Sequence, residues 1–141
     1  MLELKIKLHE GGIMPEKLSV GDWIDLAIPE TIFIEANKPF LIDFKIAMEL
    51  PEGYEAHILP RSSTFLKYGL ILTNGMGIID HSYCGDNDTW KALVYPIFNN
   101  IIYKATRLFQ FRIVKTQPDV KLTQVETLGN EDRGGYGSTG V

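Results

Sequence analysis

The sequence predicts an all-β fold on three observations. Apolar and polar residues alternate with a period of two in one segment after another, turn formers separate these segments at short intervals, and no stretch sustains the helical period. Together they indicate a barrel or sandwich. LELKIKL, Leu2 to Leu8, is the first half-buried strand. It is followed by DWIDLAI (Asp22 to Ile28), TIFIEA (Thr31 to Ala36), PFLIDFKIAMEL (Pro39 to Leu50) and YEAHILP (Tyr54 to Pro60). WKALVYPIF (Trp90 to Phe98), RLFQFRIVK (Arg107 to Lys115) and VKLTQVE (Val120 to Glu126) complete the set, all rich in β-branched and aromatic residues. Gly11-Gly12, Gly21, Pro29, Pro39, Pro51-Glu52-Gly53, Asn99-Asn100 and Pro118 supply the turns. Only Ser62 to Tyr68 reads as a helical turn, with Ser62 or Ser63 as its cap.

Length and charge bound the function. The 141 residues make one domain at about 150 residues each, which excludes a two-domain dinucleotide-binding enzyme. A 45% hydrophobic content supports a core that needs no disulfide or structural metal. With 14 basic against 18 acidic residues the net charge is -4, so polymeric nucleic acid is excluded as a partner and any phosphate site must be local. The single cysteine, Cys84, and the lack of a charged leader suggest a reducing, cytoplasmic setting. No apolar run approaches the ~20 residues of a membrane helix, so no membrane association is expected. No internal repeat is visible. Residues 1–127 read as the β-barrel domain, and 128–141 (LGNEDRGGYGSTGV) as a glycine-rich, mobile arm.

Several segments carry chemistry. Taken alone, the arm is either a frayed terminus or a phosphate cradle, because glycines let consecutive N–H groups converge on an anion near Arg133, Tyr136, Ser138 and Thr139. It is not a Walker loop: no Lys follows the glycines and no helix follows the loop. Pro60-Arg61-Ser62-Ser63 offers a guanidinium and two hydroxyls to anionic oxygens, or is an ordinary Ser-capped turn. Leu72 to Asp80 (LTNGMGIID) is a hairpin with a turn aspartate, or a pocket whose backbone reads a flat heterocycle with Asp80 as base. Tyr83 lies beside that pocket or in the core. His9, His57 and His81 lack ligand spacing, Cys84 lacks a histidine partner, and Trp23 and Phe111 read as core.

Taken together, the order PRSS, then N-G-M-G-I-I-D-x-x-Y-x-G, then R-x-x-Q, then R-G-G-Y-G-S-T-G resembles the trimeric dUTPase family, the dUTP nucleotidohydrolases, from about Gly21 to Gly140. The resemblance implies a jelly-roll-like β-barrel and a homotrimer with shared active sites, in which the arm crosses to a neighbouring site. The implied reaction is hydrolysis of dUTP to dUMP and pyrophosphate, with Mg²⁺ held mainly by the triphosphate. It makes Asp80 the carboxylate that activates the water attacking the α-phosphorus and also contacts the sugar 3'-hydroxyl. Tyr83 would lie under the deoxyribose and exclude a 2'-hydroxyl. Asn74 and the backbone around Gly77 and Ile78 would read the uracil edge. Such polar matching leaves buried groups unpaired when the base is wrong. Arg61, Ser62, Ser63 and Gln110 would hold the phosphates, and Asp25 the metal through water. Tyr136 would stack on uracil while Arg133, Gly137, Ser138 and Thr139 close over the phosphates.

The chain departs from the family pattern in places. A-G-x-D-L reads Asp22-Trp23-Ile24-Asp25-Leu26, without its glycine, and Ala105-Thr106 replace Gly-Asp before Arg107. The arm is two residues short, and its aromatic is Tyr136 rather than Phe. The acidic loop Asp86 to Asp88 faces solvent or, alternatively, Trp90 beside it joins the base pocket. These features suggest a bacterial or phage subgroup. A dCTP deaminase, the enzymatic rival, needs a glutamate base that Ala92 to Phe98 lacks. A second rival is a binding protein of this fold that engages a regulatory partner, with the acidic loop as its first candidate surface.

Overall fold

The computed structural model describes residues 1–140. Eleven strands and one short helix follow in chain order: β1 (Lys5–Leu8), β2 (Glu16–Lys17), β3 (Ile24–Ala27), β4 (Ile32–Ile34), β5 (Phe40–Glu49), β6 (Tyr54–Pro60), α1 (Thr64–Tyr68), β7 (Leu70–Leu72), β8 (Gly77–Ile79), β9 (Thr89–Pro96), β10 (Asn100–Ile102) and β11 (Arg107–Lys115). Four strands pair in the order β1-β5-β9-β7, five in the order β2-β3-β11-β6-β8, and β10-β4 form a two-stranded ribbon. Every pairing is antiparallel. This is the all-β architecture that the alternation predicts, in the jelly-roll-like form that the resemblance implies.

The inward positions of the two larger sheets make one core, and aromatic pairs bridge them. Phe44 of β5 meets Phe109 of β11 edge-on at 5.8 Å, and Trp90 of β9 meets Phe111 of β11 at 5.0 Å and 79°. Such contacts add about 0.5–1.5 kcal/mol each beyond the area they bury. Trp90 is fully buried. It therefore belongs to the core and not to a base pocket, and Phe111 is core as expected.

The outline of β5 is broken by a bulge between Asp43 and Ala47, where Lys45 takes φ 55. Asp43 Oδ1 accepts the Lys45 N–H at 2.8 Å, so a local carboxylate satisfies the donor that the ladder loses there. Gly69 ends α1 at φ 65 and donates its N–H to Phe65 O at 2.8 Å. A Cβ there would also strike the Phe98 ring.

Three expectations change. Ser63 is the N-cap residue of α1, but its side chain makes no capping bond. The turn is held instead by Thr64, whose hydroxyl donates to Leu108 O at 2.6 Å and whose N–H donates to Arg61 O at 3.0 Å. Leu72 to Asp80 is not a hairpin, because β7 pairs with β9 in one sheet and β8 with β6 in the other. The glycine-containing link crosses between sheets. Val120 to Glu126 has the pattern of a strand yet pairs with nothing in its own chain. An alternating segment without a partner ladder cannot sustain a strand.

Candidate active site

Strand register builds the first half of the site. On β11, Gln110 stands opposite Asp25 of β3 on one side and Leu59 of β6 on the other, so these three share the face away from the core. Directly after β6, Arg61 donates its N–H to Leu108 O at 3.0 Å, which pins the turn carrying Ser62 and Ser63 beside that row. The result is a cleft of about 220 Å³ lined by Trp23, Asp25, Arg61, Ser62 and Gln110 with the Leu18 to Asp22 segment.

Asp25 is only 5% exposed and sits between two guanidinium groups. Arg61 Nε lies 3.4 Å from Oδ1 and Arg107 Nη1 3.5 Å from Oδ2, while Arg107 also reaches Glu16 at 3.5 Å. A buried pair of this kind orients its members more than it stabilises the fold. It holds the Arg61 fork at the cleft wall, where two parallel donors suit a phosphate. Asp25 Oδ2 receives no hydrogen bond. Gln110 Nε2 donates to Pro60 O at 3.3 Å, which keeps the amide against the same wall.

The second half is the crossing segment from Asn74 to Tyr83. Asn74 is exposed, and its carbonyl accepts the Met76 N–H at 2.7 Å, leaving its side chain at the turn surface. Gly77 pairs with Ile58, and a Cβ there would stand 3.2 Å from Ile58 Cβ. Its lack of a side chain lets β8 lie close and keeps its backbone open to a flat ligand. Ile78 points outward and is 59% exposed. Asp80 follows the end of β8 and is fully exposed. The hydroxyl of Ser82 donates to its Oδ1 at 2.6 Å and the Ser82 N–H donates to the same oxygen at 2.7 Å. These bonds, the hydroxyl first, hold the Asp80 carboxyl below its ordinary value, so it is ionised throughout the neutral range. Tyr83 donates its N–H to Asp80 O at 3.0 Å and its hydroxyl to Thr89 O at 2.8 Å, while its ring packs against the core. It is a half-buried residue packed on the core directly after the Asp80 turn.

Within one chain the two halves are neighbours, β8 pairing with β6 and a second cavity joining Arg61 to Leu72 and Gly75, but they do not share the cleft. The cleft lining includes Arg61, Ser62, Gln110 and Asp25 but none of Asn74, Asp80 and Tyr83. The arm joins neither. Every described residue from Lys115 to Gly140 is exposed. Arg133 bonds only to Gly134 O, and the turns at Ser138 and Gly140 close on Gly135 and Gly137 of the arm itself. Tyr136, Gly137, Ser138 and Thr139 thus reach nothing on their own barrel among the described residues.

A model of the dUTPase family matches residues 16–140. The chain belongs to the dUTPase family. Among dUTPase relatives, it is 50% identical over 141 residues to the SPbeta prophage-derived deoxyuridine 5'-triphosphate nucleotidohydrolase YosS of Bacillus subtilis (strain 168), covering 99% of each chain. It is 36% identical to the deoxyuridine 5'-triphosphate nucleotidohydrolase of Hydrogenobaculum sp. (strain Y04AAS1), covering 96% of this chain and 95% of the relative. By structure it is similar to a mutant Staphylococcus bacteriophage 80alpha dUTPase with dUpNHpp, at TM-score 0.82 and 24% identity over 99% of both chains. A mutant dUTPase of phage phi11 of S. aureus, described with a structural Mg(II) ion, follows at TM-score 0.77 and 22% identity over 89% of this chain and 98% of that one. The fold of the chain is the all-β dUTPase fold, and the chain is an enzyme of the dUTP nucleotidohydrolase family in its bacterial and phage branch.

Sequence reasoning does not single out one residue of the cleft, Trp23, and one that supports it from behind Asp25, Arg107. Trp23, expected in the core, is half-buried in the cleft wall with the Arg112 guanidinium 5.5 Å from its ring centroid. Its place where the family has glycine was the available signal. Arg107 was visible as the start of R-x-x-Q, but only register brings it to Asp25. The acidic loop faces solvent at Asp86 and Asn87, as expected, and is tied down locally. Asp86 is bridged to Lys7 at 3.4 Å and its carbonyl meets His9, while the Asp88 carboxylate accepts the Gly85 N–H at 2.8 Å. His57 pairs with Glu55 at 2.9 Å, away from any metal cluster. Among the described residues no three His, Cys, Asp or Glu group to hold a metal ion, and no helix is long and apolar enough to cross a membrane.

Proposed function

We propose that this chain hydrolyses dUTP to dUMP and pyrophosphate, and that three copies share each active site. The arm carries the reading: its described residues are exposed, bond only locally and touch none of the site residues of their own barrel, so the arm has a role only at a neighbour's site. The family membership and the nucleotidohydrolase relatives support the reaction.

In this reading Arg61, Ser62, Ser63 and Gln110 of one copy hold the triphosphate. The Ser63 hydroxyl has no capping role to leave. Asn74 and the open backbone at Gly77 and Ile78 of another copy read the uracil edge, with Tyr83 under the sugar. Tyr83 is fixed by its bond to Thr89, so its ring forms a rigid floor that a 2'-hydroxyl would strike. Asp80 takes the proton of the water that attacks the α-phosphorus. Its ionised state at neutral pH suits a base for this step. The arm of the third copy brings Tyr136 over the base and Arg133, Gly137, Ser138 and Thr139 over the phosphates, which excludes water.

A magnesium ion fits the donor set. Asp25 lines the cleft, and its buried Oδ2 accepts no hydrogen bond although Arg107 Nη1 stands 3.5 Å away, which leaves it capacity to accept from a metal-bound water. The rest of its ligands would come from the phosphates. When bound, the ion neutralises charge on the triphosphate. A structural Mg(II) ion in the phage phi11 dUTPase supports a cation in the family, and no second function is favoured by a feature of this chain.

The direct test is Asp80→Asn, measured for dUpNHpp binding and for pyrophosphate release. Binding within a few-fold of the parent, with turnover reduced at least about 100-fold, is the expected outcome. Near-normal turnover removes Asp80 from the base role.

A further inference from the structure

We propose that Ser82 is the positioning residue of the Asp80 base, fixing the carboxylate plane so that Oδ2 alone faces the attacking water. The proposal rests on the reading of Asp80 as that base. Both Ser82 donors converge on one oxygen: the hydroxyl at 2.6 Å and the N–H at 2.7 Å, each to Oδ1. Two donors on a single oxygen stop rotation about the bond to the carboxyl carbon. They also occupy Oδ1, which leaves Oδ2 as the acceptor for a proton. The aspartate stands at the end of β8 with its own carbonyl accepting from Tyr83, so backbone and side chain are both anchored. Asp80 is fully exposed, and no packing would otherwise choose its rotamer. Ser82 itself is exposed, and its hydroxyl makes no other hydrogen bond among the described residues.

The direction of the effect separates positioning from basicity. Hydrogen bonds to the charged form weaken a base, so removing the hydroxyl alone would make Asp80 a stronger base and the reaction slightly faster. Loss of orientation acts the other way, since misplacing a catalytic group by about 1 Å costs up to about 100-fold. Positioning wins on magnitude.

The experiment compares Ser82→Ala, Ser82→Gly and Ser82→Thr with the parent in kcat for dUTP, its pH profile and dUpNHpp affinity. Ser82→Ala and Ser82→Gly are expected to lower kcat about 10- to 100-fold at neutral pH with affinity within about twofold, and to move the acid limb of kcat to higher pH. Ser82→Thr is expected to restore both. Unchanged or raised kcat in Ser82→Ala overturns the proposal. So does a parallel loss of dUpNHpp affinity in the alanine and glycine variants, which would mark a merely structural turn. Should Asp80→Asn keep its turnover, the base reading fails first, and that result is recognisable without any Ser82 variant.

Discussion

At the residue scale, the chemistry depends on groups whose freedom has been removed. Arg61 is held by Asp25, Tyr83 by Thr89 and Asp80 by Ser82, with heavy-atom separations of 3.4, 2.8 and 2.6 Å. Each tie fixes an orientation that bound substrate would otherwise have to impose. In the proposed site, Tyr83→Ala would remove the floor under the sugar while sparing Asp80. Discrimination between dUTP and UTP in kcat/KM should fall by at least about tenfold, and an unchanged ratio would refute steric exclusion. Asp80 and Tyr83 were readable because the family motif spaces them along one short segment. Their anchors were less readable. Whether Thr89 or some other group accepts the Tyr83 hydroxyl depends on where β9 begins, and the sequence pattern does not report single hydrogen bonds.

At the element scale, long regular strands were legible, and of the short ones only those inside a longer alternating segment, such as β4 within Thr31 to Ala36, were. β6 and β11 run over the same residues as their alternating patterns, Tyr54–Pro60 and Arg107–Lys115. β2 and β10 span two and three residues, too few for a period to emerge, and exist because β3 and β4 offer them ladders. Val120 to Glu126 failed in the opposite sense. Its period is correct, but a period says nothing of a partner strand. The arm beyond it is the element on which site closure depends. Deleting residues 129–141 should leave the circular dichroism and thermal midpoint of the barrel unchanged, because the described part of that segment adds nothing to the core. Turnover should fall at least about 100-fold if the arm excludes water from the site. Equal rates would show the arm to be dispensable.

At the scale of the whole molecule, two sheets locked by Phe44–Phe109 and Trp90–Phe111 give a rigid body, with the candidate site residues on its outside and the arm apart from them. Such a layout predicts complementation. Asp80→Asn chains mixed with chains lacking residues 129–141, each nearly inactive alone, should regain a measurable fraction of activity after dissociation and reassembly. Some sites then combine an intact Asp80 with an intact arm from a neighbour. Failure to regain activity in confirmed mixed assemblies would mean that each chain completes its own site.

The central claim concerns what the assembled site accepts, and pyrophosphate release with Mg²⁺ from dUTP, UTP, dTTP and dCTP measured in parallel tests it most directly. Release from dUTP, with the other three slower by at least about 100-fold, is the outcome predicted by a polar reader at Asn74 and Gly77 above a fixed Tyr83 floor. Equal hydrolysis of several nucleotides, or none of any, would contradict it.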